Sequence, residues 1–206
     1  GTANPNNAGD STGSCSSAII RAALGMAMDS NKDLYVSAKC QILKISGGVV
    51  SLFLGQEVPN TCAFPAVPGV GSNSSIASVM DMKFDSQGNL ITISNQQYLK
   101  VTPDGTMTVL AGTGDLDTTD GNSTFAKFKN PEAFDFDAAG NILGVDRSSG
   151  KIRSITANGD VTTECPGVTL NSPYGAAYST DGSNIGLLYV AETDADKISL
   201  VNLTDC

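Results

Sequence analysis

Asp115, Asp117 and Asp120, followed by Gly121 and Asn122, are the best candidate for a set of hard oxygen donors around a metal in this 206-residue chain. Calcium is the ion such a set would hold, because it accepts carboxylate and carbonyl oxygens in flexible geometry. The run departs from the Asp-x-Asp-x-Asp-Gly spacing of an EF-hand loop and lacks its terminal glutamate. Other acids sit at turns: Asp85, Asp104 and Asp137 each shortly precede a glycine, where a carboxylate accepts backbone N–H groups. There is no histidine in the chain. A Ser-His-acid triad therefore cannot form within it, and no imidazole can hold a metal. The cysteines, Cys15, Cys40, Cys62, Cys165 and Cys206, are scattered and form no Cys-x-x-Cys pair, which argues against structural zinc. In a chain rich in small polar residues, such scatter favours disulfides and an extracellular compartment. Packing as buried thiols is the other reading, since free cysteine behaves as a small hydrophobe.

The elements that would carry these residues repeat. FDSQGNLITISNQQYLKVTPDGTMTVLAG runs from Phe84 to Gly112, and FDAAGNILGVDRSSGKIRSITANGDVTTE from Phe136 to Glu164. Asp85 and Asp137 occupy matching places 52 residues apart, and Asp29 precedes Asp85 by 56. A period of this size means a repeat architecture. Met82, Phe84, Leu90, Ile91 and Ile93 fall in short runs broken at Gly88-Asn89, which is strand patterning. Gly88, Gly140 and Gly182, with Asn89 and Asn141 after the first two, are read as turn determinants; Gly25 is placed with them as a fold determinant. Two hairpins per repeat give four antiparallel strands. One such sheet leaves a face bare, so neighbours must stack, and radial stacking predicts an all-β β-propeller of four-stranded blades. Phe134, Phe136, Val145, Ile152 and Ile155 are the expected core of the third repeat.

The third repeat resembles the blades of the NHL-repeat family through Pro131, Asp137, Gly140, Asn141, Ile142, Val145, Asp146, Lys151, Ile152, Arg153 and Ile155. The stretch Ala111 to Pro131 resembles that family's inter-blade connection. The chain opens with a second copy, Ala18 matching Ala126 and Ile20 matching Phe128. The expected organisation is one propeller segment, 1–206: connection 1–22, blades 23–77, 78–130 and 131–172, and a partial blade 173–206. Four repeats, the last incomplete, are fewer than the family's rings carry, so a piece of a longer chain is one expectation. A ring completed by another chain is the other. The resemblance also brings related propeller enzymes into view, the amidating lyases and the lactonases, which use metal centres. The lyase metal is held by histidines, absent here. A lactonase-like calcium hydrolase is left as a minor alternative resting on Asp115, Asp117 and Asp120.

With 12 basic and 21 acidic residues, net charge −9, the chain repels polyanions, so nucleic acid is not an expected partner. Lys127, Lys129, Arg147, Lys151 and Arg153 crowd the second and third repeats, but strand alternation assigns Lys151 and Arg153 to a solvated side, without interleaved aromatics. No apolar run is long enough to span a bilayer, so no membrane insertion is expected. Sequons at Asn73, Asn122 and Asn202 are candidate glycosylation sites. In a four-stranded blade, second-to-third turns and inter-blade connections share one side. Cys15, Cys40, Cys62 and Cys165 map there, so Cys40 is expected to pair with Cys62 or Cys15. Cys165 is unassigned, and Cys206 is expected to be unpaired or intermolecular. The functional expectation is a non-catalytic extracellular module that recognises protein or glycan at a cell surface or matrix, through the cysteine-bearing face and without a cofactor. Its alternative is a structural subunit of a filament or appendage, self-assembling through propeller edges.

Overall fold

The computed structural model describes residues 12–20, 22–56, 62–179 and 186–206. The described chain is all-β: seventeen strands, two short 3-10 turns (Gly71–Asn73 and Thr193–Ala195) and no α-helix. It divides into two compact units, Gly1–Ser94 with Lys100–Thr108, and Asn95–Leu99 with Val109–Cys206.

The first sheet contains β1 (Gly13–Ser14), β2 (Met26–Met28), β3 (Leu34–Ala38), β4 (Gln41–Ser46) and β5 (Val49–Leu54), ordered β1-β5-β4-β3-β2. In the second, β6 (Gly69–Val70), β7 (Val79–Phe84), β8 (Leu90–Ser94), β9 (Gln97–Val101) and β10 (Thr106–Ala111) are ordered β6-β10-β9-β8-β7. The third is the plain meander β11 (Pro131–Phe136), β12 (Ile142–Asp146), β13 (Lys151–Ile155) and β14 (Val161–Glu164). The fourth has three strands, β15 (Pro173–Tyr178), β16 (Leu187–Glu192) and β17 (Lys197–Asn202). The register repeats: Met28↔Leu34, Phe84↔Leu90, Phe136↔Ile142 and Tyr178↔Leu188 close the first hairpin of each sheet. These are the antiparallel blades of a β-propeller.

Two of the sheets have five strands where four were expected. The extra strands, β1 and β6, come from the connections that precede each sheet, and they pair with the outer strands β5 and β10. A bridge between Gly121 and Val161 does the same for the third sheet. These three connections thus each lay an arm on the sheet that follows and satisfy backbone groups that an edge would leave open.

Local chemistry explains the first hairpins. Asp85 Oδ1 accepts the backbone N–H of Gln87 and of Asn89, and Asp137 Oδ1 those of Ala139 and Asn141; each asparagine donates Nδ2 to the second carboxylate oxygen. Gly88 and Gly140 then turn the chain at φ 82° and 85°, where a side chain is strained. In the first sheet Asp29 receives Asn31 and Asp33 in the same way, and Lys32 takes the left-handed place at φ 71°. Gly182 lies outside the described residues. Gly25 has no left-handed φ; it sits close to the Met80 and Asp81 backbone.

The inner strand of each blade is tied to the end of the second. Ser37 Oγ accepts the N–H of Leu24 and Gly25, Ser94 Oγ that of Ala77, Asp146 those of Lys129 and Asn130, and Glu192 that of Asn171. In the second unit Ala133, Leu143, Val145, Ile152, Cys165, Leu170, Leu188, Val190 and Val201 form one buried cluster. Of the residues expected as core, Phe134, Val145, Ile152 and Ile155 are buried; Phe136 is half-buried and meets Phe134 edge-on at 5.7 Å.

One side-chain assignment is overturned. Lys151 is half-buried, but Arg153 is 0% exposed. Its Nη1 donates to the Lys127 carbonyl at 3.0 Å, and Nη2 to the Thr119 carbonyl at 2.9 Å and to Asp120 Oδ1 at 2.7 Å, while the guanidinium lies 5.0 Å from the Phe128 ring centre. Alternation sends the residue to one face of β13, and the 119–128 connection covers that face.

Candidate functional site

In the first unit a cavity of about 340 Å³ opens among the Asp29–Asp33 turn, the Asp85–Asn89 turn and the Thr102–Pro103 bend. Its floor is aromatic. Tyr35 of β3, Phe53 of β5 and Phe84 of β7 meet edge-to-face, Tyr35 to Phe53 at 4.8 Å and Tyr35 to Phe84 at 5.0 Å, a favourable arrangement of ring quadrupoles. Tyr35 is buried, and the two phenylalanines are half-buried along the cavity wall. Lys44 braces Tyr35 from β4, its Nζ 2.8 Å from Asp33 Oδ2 and 5.2 Å from the Tyr35 ring centre. Hydrogen bonding to Asp33, then to Tyr35, raises the Lys44 pKa, and hydrogen bonds from Lys44, then Ser46, lower that of Asp33.

The rim is polar. Asp85 spends both oxygens on its own turn, whereas Asp29 uses only Oδ1, leaving Oδ2 open among the described residues. Ser30, Asn31, Ser86 and Gln87 are exposed around the mouth, and their side chains have no partner among the described residues. Among the described residues no lysine or arginine lines the cavity. These turns are at the opposite end of the strands from Cys40, so the cavity is not on the cysteine-bearing face. The two turns are legible in the sequence, whereas Tyr35, Phe53 and Phe84 as one group are not. An aromatic residue just before the turn, as at Phe84, Phe136 and Tyr178, was the available signal.

The structure separates the proposed calcium ligands. Asp120 is committed to Arg153 and, through both oxygens, to Thr163; Asp115 meets Lys127 Nζ at 3.1 Å; Asp117 accepts from Thr118 N and Thr119 Oγ1. Hydrogen bonding to Lys127 lowers the Asp115 pKa, and the Thr118 N–H and Thr119 hydroxyl lower that of Asp117. No set of three or more His, Cys, Asp or Glu converges as metal ligands among the described residues. The run Gly9-Asp10-Ser11-Thr12-Gly13 has the spelling of a nucleophile elbow, but Ser11 lies outside the described residues and the chain offers no histidine base.

Cys40 pairs with Cys62, one of the two expected partners. The expectation for Cys206 is corrected: it bonds Cys165, and Cys15, exposed, is the free thiol. After β17 the chain bends at an Asx turn, Thr204 N donating to Asn202 Oδ1, and this brings the Cys206 Cα within 4.9 Å of that of Cys165. Beside this disulfide a second cavity, about 510 Å³, runs along the open edge of β17. Of the sequons, Asn73 and Asn122 are exposed, while Asn202 is half-buried and donates Nδ2 to Asp205. Within the basic group, Arg153 is buried, Arg147 lies 3.8 Å from Glu132 and stacks near Tyr174, and Lys127 meets Asp115. Among the described residues no helix is long and apolar enough to cross a membrane.

No family profile and no curated protein matches the chain. Solved structures do. An auxiliary nutrient binding protein from Bacteroides thetaiotaomicron VPI-5482 is 16% identical with a TM-score of 0.66 over 85% of this chain and 47% of its own. Its counterpart from Bacteroides ovatus ATCC 8483 is 18% identical with a TM-score of 0.66 over 88% and 49%. A gluconolactonase from Xanthomonas campestris is 15% identical with a TM-score of 0.62 over 86% and 57%. The chain thus spans about half the length of the nutrient binding proteins. At such identities the likeness establishes the propeller architecture and nothing about activity.

Proposed function

We propose that the chain is a non-catalytic extracellular recognition module of NHL-like blades, binding protein or glycan at the turn-built end of its first unit. The carrying observation is the aromatic-floored cavity with its uncommitted polar rim. Concave sites with apolar walls and a few convergent polar groups are where ligands bind. Two disulfides support an oxidising compartment, and some neighbours of the fold are named as nutrient binding proteins. The commitment of Asp115, Asp117 and Asp120 to protein donors weighs against the calcium hydrolase. The test is to assay the protein for lactone hydrolysis with and without EDTA, alongside a glycan and surface-protein binding array. Binding that survives EDTA, without turnover, supports the reading; turnover abolished by EDTA refutes it.

Self-assembly is a second reading, favoured by one surface. Tyr189, Ile198 and Leu200 are 40, 73 and 54% exposed, and the pairs Tyr189↔Leu200 and Ala191↔Ile198 put them on one face of the fourth sheet. An apolar sheet face left bare invites a further sheet. Light scattering decides: concentration-dependent association lost in Leu200→Asp supports assembly, and a monomer at all concentrations removes it.

A further inference from the structure

We infer that the cavity over Tyr35, Phe53 and Phe84 is a subsite for one neutral pyranose ring, an assignment that rests on the recognition reading above. Size comes first. At about 340 Å³ the cavity is at the small end of ligand pockets, suited to a single sugar ring rather than a helix or a peptide side. Its chemistry is two-sided. Half-buried Phe53 and Phe84 offer apolar surface to the C–H face of a ring, whereas the mouth carries groups that hydrogen-bond hydroxyls. A sugar hydroxyl both donates and accepts, so its partners must do both: Asn31 and Gln87 amides and the Ser86 hydroxyl supply donors and acceptors, and Asp29 Oδ2 is an acceptor left open by its own turn.

Charge narrows the ligand further. Asp29 and Asp85 line the cavity with no cation among the described residues, so phosphates and uronates are repelled. A wholly apolar ligand would strip water from Asn31, Gln87 and Asp29 and leave them unpaired. A small organic cation is the main competitor, because aromatic rings and carboxylates attract it. Against it, the neutral rim groups Asn31, Ser86 and Gln87 would have nothing to bind. The site is preformed. Asx hydrogen bonds fix the two turns bearing the rim, and the interlocked rings fix the floor, so little ordering entropy opposes binding.

The experiment is a titration of the isotope-labelled whole chain, followed by amide and aromatic NMR. Probes are methyl glucoside, methyl galactoside and methyl mannoside, with glucuronate and choline as comparators. Saturable shifts at the Asn31, Gln87 and Gly88 amides and the Phe84 ring with a neutral pyranoside, and none with glucuronate, are expected. Gln87→Ala, an exposed position, should keep the remaining spectrum and weaken binding about five-fold, the worth of roughly one hydrogen bond. If choline alone moves these signals, the site takes cations and the assignment is wrong. Pyranosides that shift only signals near β17, or bind with unchanged affinity to Gln87→Ala and Phe84→Leu, overturn the cavity while leaving recognition standing. Failure of every pyranoside to bind overturns it too. A sugar that binds here and is chemically converted upholds the subsite but overturns the non-catalytic reading.

Discussion

Replacing Arg153 by methionine tests the clasp that holds the 119–128 connection on the third sheet. Methionine keeps much of the stem's apolar volume and deletes the guanidinium. Three hydrogen bonds are lost, to the Thr119 and Lys127 carbonyls and to Asp120. Bonds from a charged donor are each worth about 1.5–3 kcal/mol. The sum is discounted because the Asp120 side chain is 48% exposed and rehydrates when released, and because the guanidinium is no longer desolvated. The two bonds to the Thr119 and Lys127 carbonyls set the range expected, about 3–5 kcal/mol. The chain holds two compact units, so one global unfolding energy is a poor readout. Amide exchange is local. Gly121 and Val161 donate to each other's carbonyls at 3.0 and 2.7 Å, and their exchange should accelerate between about a hundredfold and several thousandfold in Arg153→Met. Asp120→Asn in the Arg153→Met background should add little. Were Arg153 merely a solvated strand residue, the change would stay within roughly 0.5 kcal/mol. Acceleration below about threefold at both amides would falsify the clasp.

Four further outcomes follow from the structure. At Gly140 a built Cβ meets nothing within 4 Å, so Gly140→Val should lose about 1–2 kcal/mol through φ alone and Gly140→Asn clearly less; equal melting temperatures for the two would contradict the turn. Burial is the largest influence on Glu132 and raises its pKa over the opposing pull of Arg147 and Asn130. The folded form therefore binds the proton more tightly, and stability falls as pH rises above the ordinary value of 4.5. Glu132→Gln should melt higher than the parent at pH 7 and equally at pH 4. For Glu192, burial pushes upward but the donors Ser199, Asn171 and Lys197 outweigh it and lower the pKa. Its stabilisation is present above 4.5 and is lost as pH falls below it, so Glu192→Gln should be the less stable variant at pH 7, with the gap closing in acid. Alkylation of the oxidised chain should label one thiol, Cys15, and five after reduction. Loop separations of 22 and 41 residues make each bridge worth about 3–4 kcal/mol by chain entropy, and a Cys206→Ser chain labelled only at Cys15 would contradict the pairing.

What the sequence determined by itself was the short-range part: strands, hairpins, their period, and the Asp85 and Asp137 turns, since a carboxylate, a glycine and an asparagine within five residues satisfy their own backbone. The Cys40 to Cys62 choice was half legible because a second-to-third turn and an inter-blade connection share one side of a blade. Tertiary structure alone decided the rest. Alternation told that Arg153 leaves one face of β13, but in stacked sheets both faces can be covered, so period two carries no information about water. The cavity floor unites residues 35, 53 and 84, on three strands of two sheets, and no local rule links such distant positions. Cys206 finds Cys165 because a terminal turn bends toward a connection 41 residues earlier. Backbone preference acts over a few residues and is written in them; burial and pairing depend on which distant surface arrives, and only the packed sheets settle that.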